Sequence, residues 1–208
     1  MKKVIQGFVY VDRLDDLWIA VIIDEEEKVV SVSLPRGSEN EAVNEAKSNV
    51  RAEVSYKFRS EMNPFVKRVG KEVVKSISSY LKGEKTKFEL KLNTDGLSEF
   101  MKKVLSIATM IPRGFVTCYG CVAEVLGKPN ASSAIGYALA ENPWPIIVPC
   151  HRVIRSDLSL GGYKGGVEMK KMLLKVEGVA VTLTNKVLPS HFLRAEELKK
   201  LSRDVGKT

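Results

Sequence analysis

Two prolines bracket a short apolar run in the last third of the chain, and no other stretch limits the local backbone so strongly. Residues 145–153 run Pro-Ile-Ile-Val-Pro-Cys-His-Arg-Val. Each proline fixes its own φ, and the branched residues between them favour extended backbone. The pattern predicts a buried strand that leads into Cys150, so one thiol would be held at the tip of a rigid element. A buried structural cysteine is the alternative, because an unpaired cysteine packs as a small hydrophobe.

Composition and charge are those of an ordinary globular chain. Its 208 residues are 44% hydrophobic and 28% charged, which suits one large domain or two small ones. No apolar run approaches the roughly 20 residues that span a bilayer, and the N-terminus lacks the pattern of a signal peptide. The net charge of +8 permits a polyanionic partner.

Cysteine and histidine counts narrow the chemistry. Three cysteines are an odd number and predict no disulfide framework, which indicates a reducing, intracellular compartment. With only His151 and His191, a histidine-rich metal site is excluded. Cys118 and Cys121 fall short of the four ligands that a zinc site needs. Two interpretations stay open for them: structural thiols, which their helical context favours, or a redox pair.

The first 93 residues predict a small α+β unit without a catalytic constellation. Three segments rich in Val, Ile and aromatic residues are separated by acidic turns, and such short links join antiparallel strands. The predicted elements are strands over 4–12, 17–24 and 28–34, helices over 39–62 and from Pro64 to Gly83, and a strand over 87–92.

The remaining residues predict mainly helices. Two of these are short and joined by a glycine-containing turn, which is a helix-turn-helix pattern. The segment from residue 181 onward predicts a polar appendix with one helix. The predicted helices cover 97–108, 119–126, 131–141, 167–177 and 193–203. The inward side chains expected of the fourth helix are Met169, Met172, Leu173 and Val176.

Several motifs together resemble the O6-alkylguanine-DNA alkyltransferase family. The Pro-Cys-His-Arg-Val sequence is preceded by Asn142-Pro143 and followed by Gly-Gly-Tyr-x-Gly-Gly at 161–166 and Leu-Leu-x-x-Glu-Gly at 173–178. Upstream, Ile-Pro-x-Gly at 111–114 and Val-Thr-x-Tyr-Gly at 116–120 match the start of the same domain. The resemblance covers about residues 95–178.

That resemblance implies a fold and an activity. The fold is α+β, with a ribonuclease H-like domain over 1–93 that contains a small antiparallel sheet, a mainly helical, winged-helix-like alkyltransferase and DNA-binding domain over 94–180, and an extension over 181–208. The implied activity is DNA repair by irreversible transfer of an alkyl group from O6 of a flipped-out guanine in duplex DNA to Cys150, with O4 of thymine as a second candidate position. The family implies a monomer, no metal or organic cofactor, no membrane, and a cytoplasmic location that becomes nucleoid-associated on DNA.

Individual residues receive roles from the same resemblance. Cys150 is the implied nucleophile and alkyl acceptor, His151 a base that acts through a water molecule, and Glu177 the group that orients the imidazole. Tyr119 would donate to the departing guanine, and Asn142 would brace the active-site turn. The implied substrate pocket contains Val153, Gly161, Tyr163 and Lys164. The implied DNA contacts are Lys128, Ala131, Ser132, Ser133, Gly136 and Arg152.

One departure from the family pattern concerns base flipping. Ser133 stands where the family usually places an arginine that fills the gap left by the flipped base. Two other functions stay open on the sequence. One is a non-enzymatic helix-turn-helix module that binds DNA or senses lesions, and the other is a thiol-redox protein that uses Cys118 and Cys121.

Overall fold

The computed structural model describes residues 4–57 and 64–205, which fall into two compact units. Unit 1 runs to Leu97 and includes residues 143–147, and unit 2 comprises 98–142 and the residues from Val148 onward. The predicted α+β class is confirmed. The finer expectations, a ribonuclease H-like and a winged-helix-like domain with boundaries after residues 93 and 180, stay predictions.

A four-stranded mixed sheet forms the centre of unit 1. β1 (Ile5–Leu14), β2 (Leu17–Asp24) and β3 (Val29–Val32) form the predicted antiparallel meander. β4 (Val54–Lys57) pairs with β1 in parallel and gives the order β3-β2-β1-β4. The expectation of an antiparallel sheet was therefore wrong for this edge, because α1 (Glu39–Asn49) carries the chain across the sheet and such crossovers join parallel strands.

Two further predictions in unit 1 differ from the structure. The helix predicted over 39–62 ends at Asn49, and Val54 and Tyr56 form part of β4, where their side chains pack on the core of the sheet. Residues 58–62 of that prediction lie outside the described residues. The strand predicted over 87–92 does not form a ladder: of these residues, Leu92 makes a single bridge, to Val29.

Helix α2 (Pro64–Leu81) begins at the predicted residue and ends two residues before Gly83. Gly83 follows it with φ of 87°, a conformation that glycine adopts without strain. Inside the helix, a Cβ atom at Gly70 would collide with the ring of Tyr10. The missing side chain thus lets the helix lie directly against β1.

Unit 2 is mainly helical. α3 (Glu99–Met110) precedes α4 (Tyr119–Val125) and α5 (Ser132–Ala140), the two short helices of the predicted pattern. α6 (Val167–Val176) and α7 (Ala195–Val205) complete the set. In the described part of the chain, no helix combines the length and the apolar character needed to cross a membrane.

The strand predicted before Cys150 does not form. Ile146 and Ile147 are buried as expected but lie in a turn, and Ile146 has φ of 73°. The two flanking prolines lack the N–H groups that a ladder requires. Cys150–Arg152 form one turn of 3₁₀-helix, and the strand begins only afterwards, as β6 (Val153–Ile154), which pairs in parallel with β5 (Thr117–Cys118).

The segment beyond residue 180 is part of unit 2 and packs against its other elements rather than forming a polar appendix. The backbone N–H of Val116 donates to the carbonyl oxygen of His191 at 2.8 Å. The backbone N–H of Leu193 donates to the carbonyl oxygen of Val116, also at 2.8 Å. Helix α7 packs on α3 and α4 with Leu198 fully buried. This segment therefore holds the short stretch of chain that leads into α4.

Candidate active site

Cys150 lies in a buried, hydrogen-bonded turn of unit 2. It is the cysteine of the described chain that is not part of a disulfide, and it is 7% exposed. The side-chain amide of Asn142 donates to its sulfur at 3.2 Å and to the carbonyl oxygen of Val148 at 2.9 Å. Because Cys150 and His151 lie on a helical turn, they escape the constraint of a strand, where adjacent side chains point to opposite faces.

Three side chains beside the cysteine form a buried ionic cluster. The Nε2 atom of His151 lies 3.0 Å from Oε1 of Glu177, and both side chains are fully buried. Arg152 donates from Nε to both carboxylate oxygens, at 2.9 and 3.1 Å, and from Nη2 to Oε1 at 2.7 Å. Its Nη1 donates to the carbonyl oxygen of Ile111. The carboxylate thus has a cation on one side and an imidazole on the other.

This cluster sets the protonation of His151. Burial alone would raise the pKa of Glu177, but the hydrogen bonds and charges of His151 and Arg152 outweigh burial and hold that pKa at about 2. Burial lowers the pKa of His151, against the opposing effect of Glu177. The imidazole is therefore neutral near pH 7. It donates its Nε2 proton to the carboxylate, and its Nδ1 carries the lone pair that can accept a proton.

Cys150 and Tyr119 are both held in their protonated forms. Burial raises the pKa of the Cys150 thiol, while the hydrogen bond from Asn142 and the charge of Lys170 lower it. Burial also raises the pKa of the Tyr119 hydroxyl, and a negative charge on Cys150 raises it further. The phenol is therefore a proton donor, and the thiol needs a base to become a thiolate.

A cavity of about 290 Å³ lies beside Tyr119. This volume is near the lower end for small-molecule pockets, about 300 Å³. The cavity is lined by Tyr119, Gly120, Ser132, Arg155, Ser156 and Asp157. Cys150 is not among these residues, but Tyr119, which lines the cavity, has its pKa raised by burial and further by a negative charge on Cys150.

Gly161 is required both by its backbone and by the space around it. Its φ of 67° favours glycine. A Cβ atom at this position would lie 3.3 Å from the side chain of Arg155 and 3.6 Å from the hydroxyl of Tyr119. The predicted pocket residue Gly161 thus lets the loop approach the cavity wall closely.

The other predicted pocket residues differ in their surroundings. The ring of Tyr163 meets that of His151 edge-on, with centroids 6.5 Å apart. Burial raises the pKa of Cys150, and hydrogen bonding from Tyr163 opposes this effect. The backbone N–H of Val153 donates to the carbonyl oxygen of Cys150, whereas Lys164 is exposed. The structure brings Tyr163 and Val153 to the cysteine and leaves Lys164 at the surface.

Predicted DNA contacts on α5 form a face of small side chains. Ser133 is exposed, and Tyr137, which is 72% exposed, is the large side chain of this helix that reaches solvent. Lys128, in the turn before α5, is exposed as well. The predicted contacts that are half-buried are Ala131, Ser132 and Gly136.

Arg152 was predicted to contact DNA. Its side chain is 13% exposed, and its guanidinium is bound to Glu177 and to the carbonyl oxygen of Ile111. Through these contacts Arg152 holds the carboxylate of Glu177 in place. Its contact with DNA stays a prediction.

Sequence reasoning missed Lys170, which is 1% exposed on α6 together with the buried Leu173 and Leu174. The prediction that Met172 points inward was wrong, because this side chain is 37% exposed. Spacing was the available signal. Lys170 precedes Leu173, Leu174 and Glu177 by three, four and seven positions, which is the spacing of one helical face.

Cys118 and Cys121 are joined by a disulfide, with their Cα atoms 5.0 Å apart. The sequence predicted no disulfide framework and left open whether these two cysteines pair, and the structure joins them in one cross-link. Both residues are buried and pack against Phe192 and Ala195, which is typical of a structural cross-link rather than of an accessible redox pair. Within the described ranges, no three His, Cys, Asp or Glu side chains are grouped so that they could hold a metal ion.

Comparison with known proteins places this chain in a family. Residues 99–179 match the family model described as 6-O-methylguanine DNA methyltransferase, DNA binding domain. A relative from Methanosarcina acetivorans, named methylated-DNA–protein-cysteine methyltransferase, is 43% identical over 108 residues, which are 52% of this chain and 69% of the relative. The chain belongs to the methylated-DNA–protein-cysteine methyltransferase family.

Two further comparisons show how far the likeness to the methyltransferase family extends. The Methanothermobacter thermautotrophicus protein of the same name is 44% identical over 112 residues, which cover 53% of this chain but 62% of that protein. The crystal structure of Mycobacterium tuberculosis O6-methylguanine methyltransferase superposes with a TM-score of 0.56 at 26% identity and covers 83% of this chain and 92% of that one. The likeness in fold therefore reaches well beyond the matched domain.

Proposed function

We propose that this chain repairs DNA by direct reversal, with the sulfur of Cys150 accepting an alkyl group from O6 of guanine once and irreversibly. The observation that carries the proposal is the arrangement around a single free cysteine. Asn142 donates to the sulfur, and the buried His151–Glu177 pair follows it in the chain. In a family whose curated relatives are named for methyl transfer from DNA to a protein cysteine, this arrangement supplies a nucleophile, a base and an orienting carboxylate.

The His151–Glu177 pair supplies the base. Because Glu177 accepts the Nε2 proton, Nδ1 of His151 can take the thiol proton through one bridging water molecule. A base is needed because burial raises the pKa of Cys150. Once the thiolate forms, the amide of Asn142 stabilises it, since a donated hydrogen bond favours the charged form.

The transfer itself forms one bond and breaks one. The thiolate of Cys150 attacks the alkyl carbon, an S–C bond forms, and the C–O6 bond breaks with its electron pair going to the guanine oxygen. Tyr119 donates a hydrogen bond to the departing guanine. The proton that left the thiol ends on the guanine, so the transfer yields a neutral base. An O4-alkylthymine offers the same bond to break. The product is a thioether, which water does not readily cleave, so each protein molecule reacts once.

The partner in this proposal is duplex DNA that carries an alkylated base. The reacting atom lies inside the base stack, so the nucleotide must be flipped out, at a cost of a few kcal/mol. Helix α5 presents small residues that allow close approach to a groove, and Ser132 at its start also lines the cavity beside Tyr119. A flipped base would enter that cavity and reach Cys150 past Tyr119. The protein would act as a monomer on nucleoid DNA.

A transfer assay tests the proposal. The protein is incubated with a duplex that contains one O6-methylguanine, and the peptide that holds Cys150 is analysed by mass spectrometry. We expect one added methyl group on Cys150 per protein molecule and an unmodified guanine in the DNA.

Cys150→Ser is the matched control, because it keeps the size of the side chain and should bind the lesion without removing it. An unmodified cysteine with the lesion intact would reject the proposal. So would lesion removal by Cys150→Ser at the rate of the unmodified protein. Tight lesion binding without removal by the unmodified protein would indicate a lesion-sensing module instead.

A further inference from the structure

Lys170 is a buried cation that the proposed chemistry leaves without a role. At 1% exposure it is the most deeply buried lysine or arginine of the described chain. Burying a charge costs free energy unless the charge is paired or hydrogen-bonded. Its neighbours on the same face of α6, Leu173 and Leu174, are apolar, so an apolar residue at position 170 would avoid that cost. The position therefore calls for an explanation beyond packing.

The ammonium group of Lys170 is anchored on two backbone carbonyl oxygens. Its Nζ donates to Val153 at 2.7 Å and to Gly162 at 3.4 Å. Val153 directly follows the 3₁₀-helix that carries Cys150, and Gly162 belongs to the glycine-rich loop. Lys170 thus joins two segments that border the cysteine. A neutral donor such as glutamine could make one of these hydrogen bonds, so they alone do not explain the charge.

The charge of Lys170 faces the reacting groups. Its Nζ lies 5.9 Å from the ring centre of Tyr119, within the range of a cation–π contact. Burial raises the pKa of Cys150, and the charge of Lys170 lowers it. Burial also disfavours the charged form of Lys170 and lowers its pKa to about 8, while a thiolate at Cys150 raises that pKa. The other ionisable groups that face Lys170 are Arg155, which lowers its pKa, and the neutral His151.

We propose that Lys170 is a positioning residue whose buried ammonium stabilises the thiolate of Cys150 and holds the ring of Tyr119 beside it. Arg152 cannot serve this purpose, because its guanidinium is neutralised by Glu177. An opposite charge nearby favours the ionised form of an acid. The consequence for repair rests on the proposed alkyl transfer, whereas the consequence for the thiol can be tested with a simple reagent.

The rate at which iodoacetamide alkylates Cys150 between pH 6 and 10 tests the inference. In this reaction the thiolate forms an S–C bond and iodide leaves, so the rate follows the thiolate fraction. The disulfide leaves Cys150 as the reactive cysteine of the described chain. Lys170→Gln removes the charge but keeps a hydrogen-bond donor. Lys170→Met removes both and keeps only the approximate length of the side chain. In both we expect alkylation below about pH 8, where the ammonium of Lys170 is charged, to be about tenfold slower, which corresponds to a rise of about one unit in the pKa of the thiol.

Matched variants separate the charge from the fold. Lys175→Met removes an exposed lysine from the same helix and should keep the original profile. Lys170→Arg retains a positive charge and should bring the rate below about pH 8 back toward that of the unmodified protein. A purely structural role would slow alkylation equally at every pH or lower the melting temperature, whereas loss of the charge slows alkylation mainly below about pH 8. An unchanged rate below about pH 8 in folded Lys170→Gln overturns the proposal, and this variant decides alone if Lys170→Met does not fold.

Transfer from methylated duplex DNA distinguishes this inference from the proposed function. If both hold, Lys170→Gln shifts the iodoacetamide profile and slows methyl transfer by about the same factor, near tenfold. If the profile shifts but the unmodified protein transfers no methyl group, the thiolate role of Lys170 stands and the repair activity fails. If transfer occurs and the profile does not shift, the repair activity stands and the role of Lys170 is wrong.

Discussion

Both units bury polar side chains, but they do so for different purposes. In unit 1 these side chains bind mostly backbone atoms. Asn49 at the end of α1 donates to a carbonyl oxygen of β3 at 2.7 Å, and Ser31 of β3 donates to a carbonyl oxygen of α1 at 2.7 Å. Asp24 accepts from two backbone N–H groups of the next turn. These bonds fix a helix and a turn against the sheet, and their effect is purely structural.

In unit 2 the buried polar side chains are ionisable and act on one another. His151, Glu177, Lys170 and Cys150 have displaced pKa values, each because of burial opposed or reinforced by a neighbouring charge or hydrogen bond. Such displacement is typical of chemical sites, although structural ion pairs also produce it. The difference teaches that burial of a polar group indicates function only where its partners can change protonation state.

The sharpest test of this comparison is Glu177→Gln. The change leaves the guanidinium of Arg152 buried without its counter-charge and weakens the base at His151. We expect a loss of about 3–5 kcal/mol in the free energy of unfolding and roughly a hundredfold slower methyl transfer. Urea denaturation and the transfer assay measure the two effects. A variant that loses less than about 1 kcal/mol would show that the cluster is not the electrostatic centre of unit 2.

Lowering the pH should reduce the stability of unit 2, because the carboxylate of Glu177 becomes protonated. The pKa of Glu177 is about 2 in the folded protein against 4.5 ordinarily, so its contribution is complete above about pH 4.5 and is lost as the pH falls through 2. Between about pH 5 and 2 the unmodified protein should lose roughly 3 kcal/mol more than Glu177→Gln does. Urea titrations across this range measure the difference, and parallel curves for the two proteins would contradict it.

A matched change in unit 1 should affect stability alone. Asn49→Ala leaves the carbonyl oxygen of Val32 without its amide donor, and we expect a loss of about 1–3 kcal/mol in the free energy of unfolding. The rate of alkylation of Cys150 by iodoacetamide should stay the same in the folded variant. A change in that rate would break the distinction between the two units.

The smallest expected effect concerns the exposed face of α5. Ser133→Arg adds a long cation where the family usually has one, and we expect repair of a methylated duplex to speed up about fivefold, equivalent to roughly 1 kcal/mol. Reaction with free O6-methylguanine base should not change, because no nucleotide has to be flipped. Equal acceleration of both reactions would argue against a role of this position in flipping.

Local patterns predicted most elements, and the failures are those in which distant contacts decide. Strands β1 to β3 and helix α2 follow from periodicity within one segment. Strand β4 was missed because Val54 and Tyr56 are only two strand-forming residues that follow a polar stretch. Their pairing with β1 depends on contacts between segments that are distant in the sequence. The run at 146–148 has strand-forming residues, but its flanking prolines leave it in a turn.

The candidate site was predictable only through its joint motifs. Periodicity and composition would have left Cys150, Glu177 and Asn142 as unrelated residues, whereas the structure brings them into one buried cluster. Their chemical roles remain proposals. The ion pair of Arg152 and the burial of Lys170 were missed because a long cation on a helix or turn can reach solvent or core equally well, and only packing decides between them.

The pairing of Val116 with residues 191–193 affects how the molecule matures. The ribosome synthesises Val116 long before residues 191–193. The stretch that leads into Tyr119 therefore cannot form these hydrogen bonds until the intervening chain has been made. A nascent polypeptide stopped before residue 191 would lack the two backbone hydrogen bonds that hold the chain just before Tyr119 and α4.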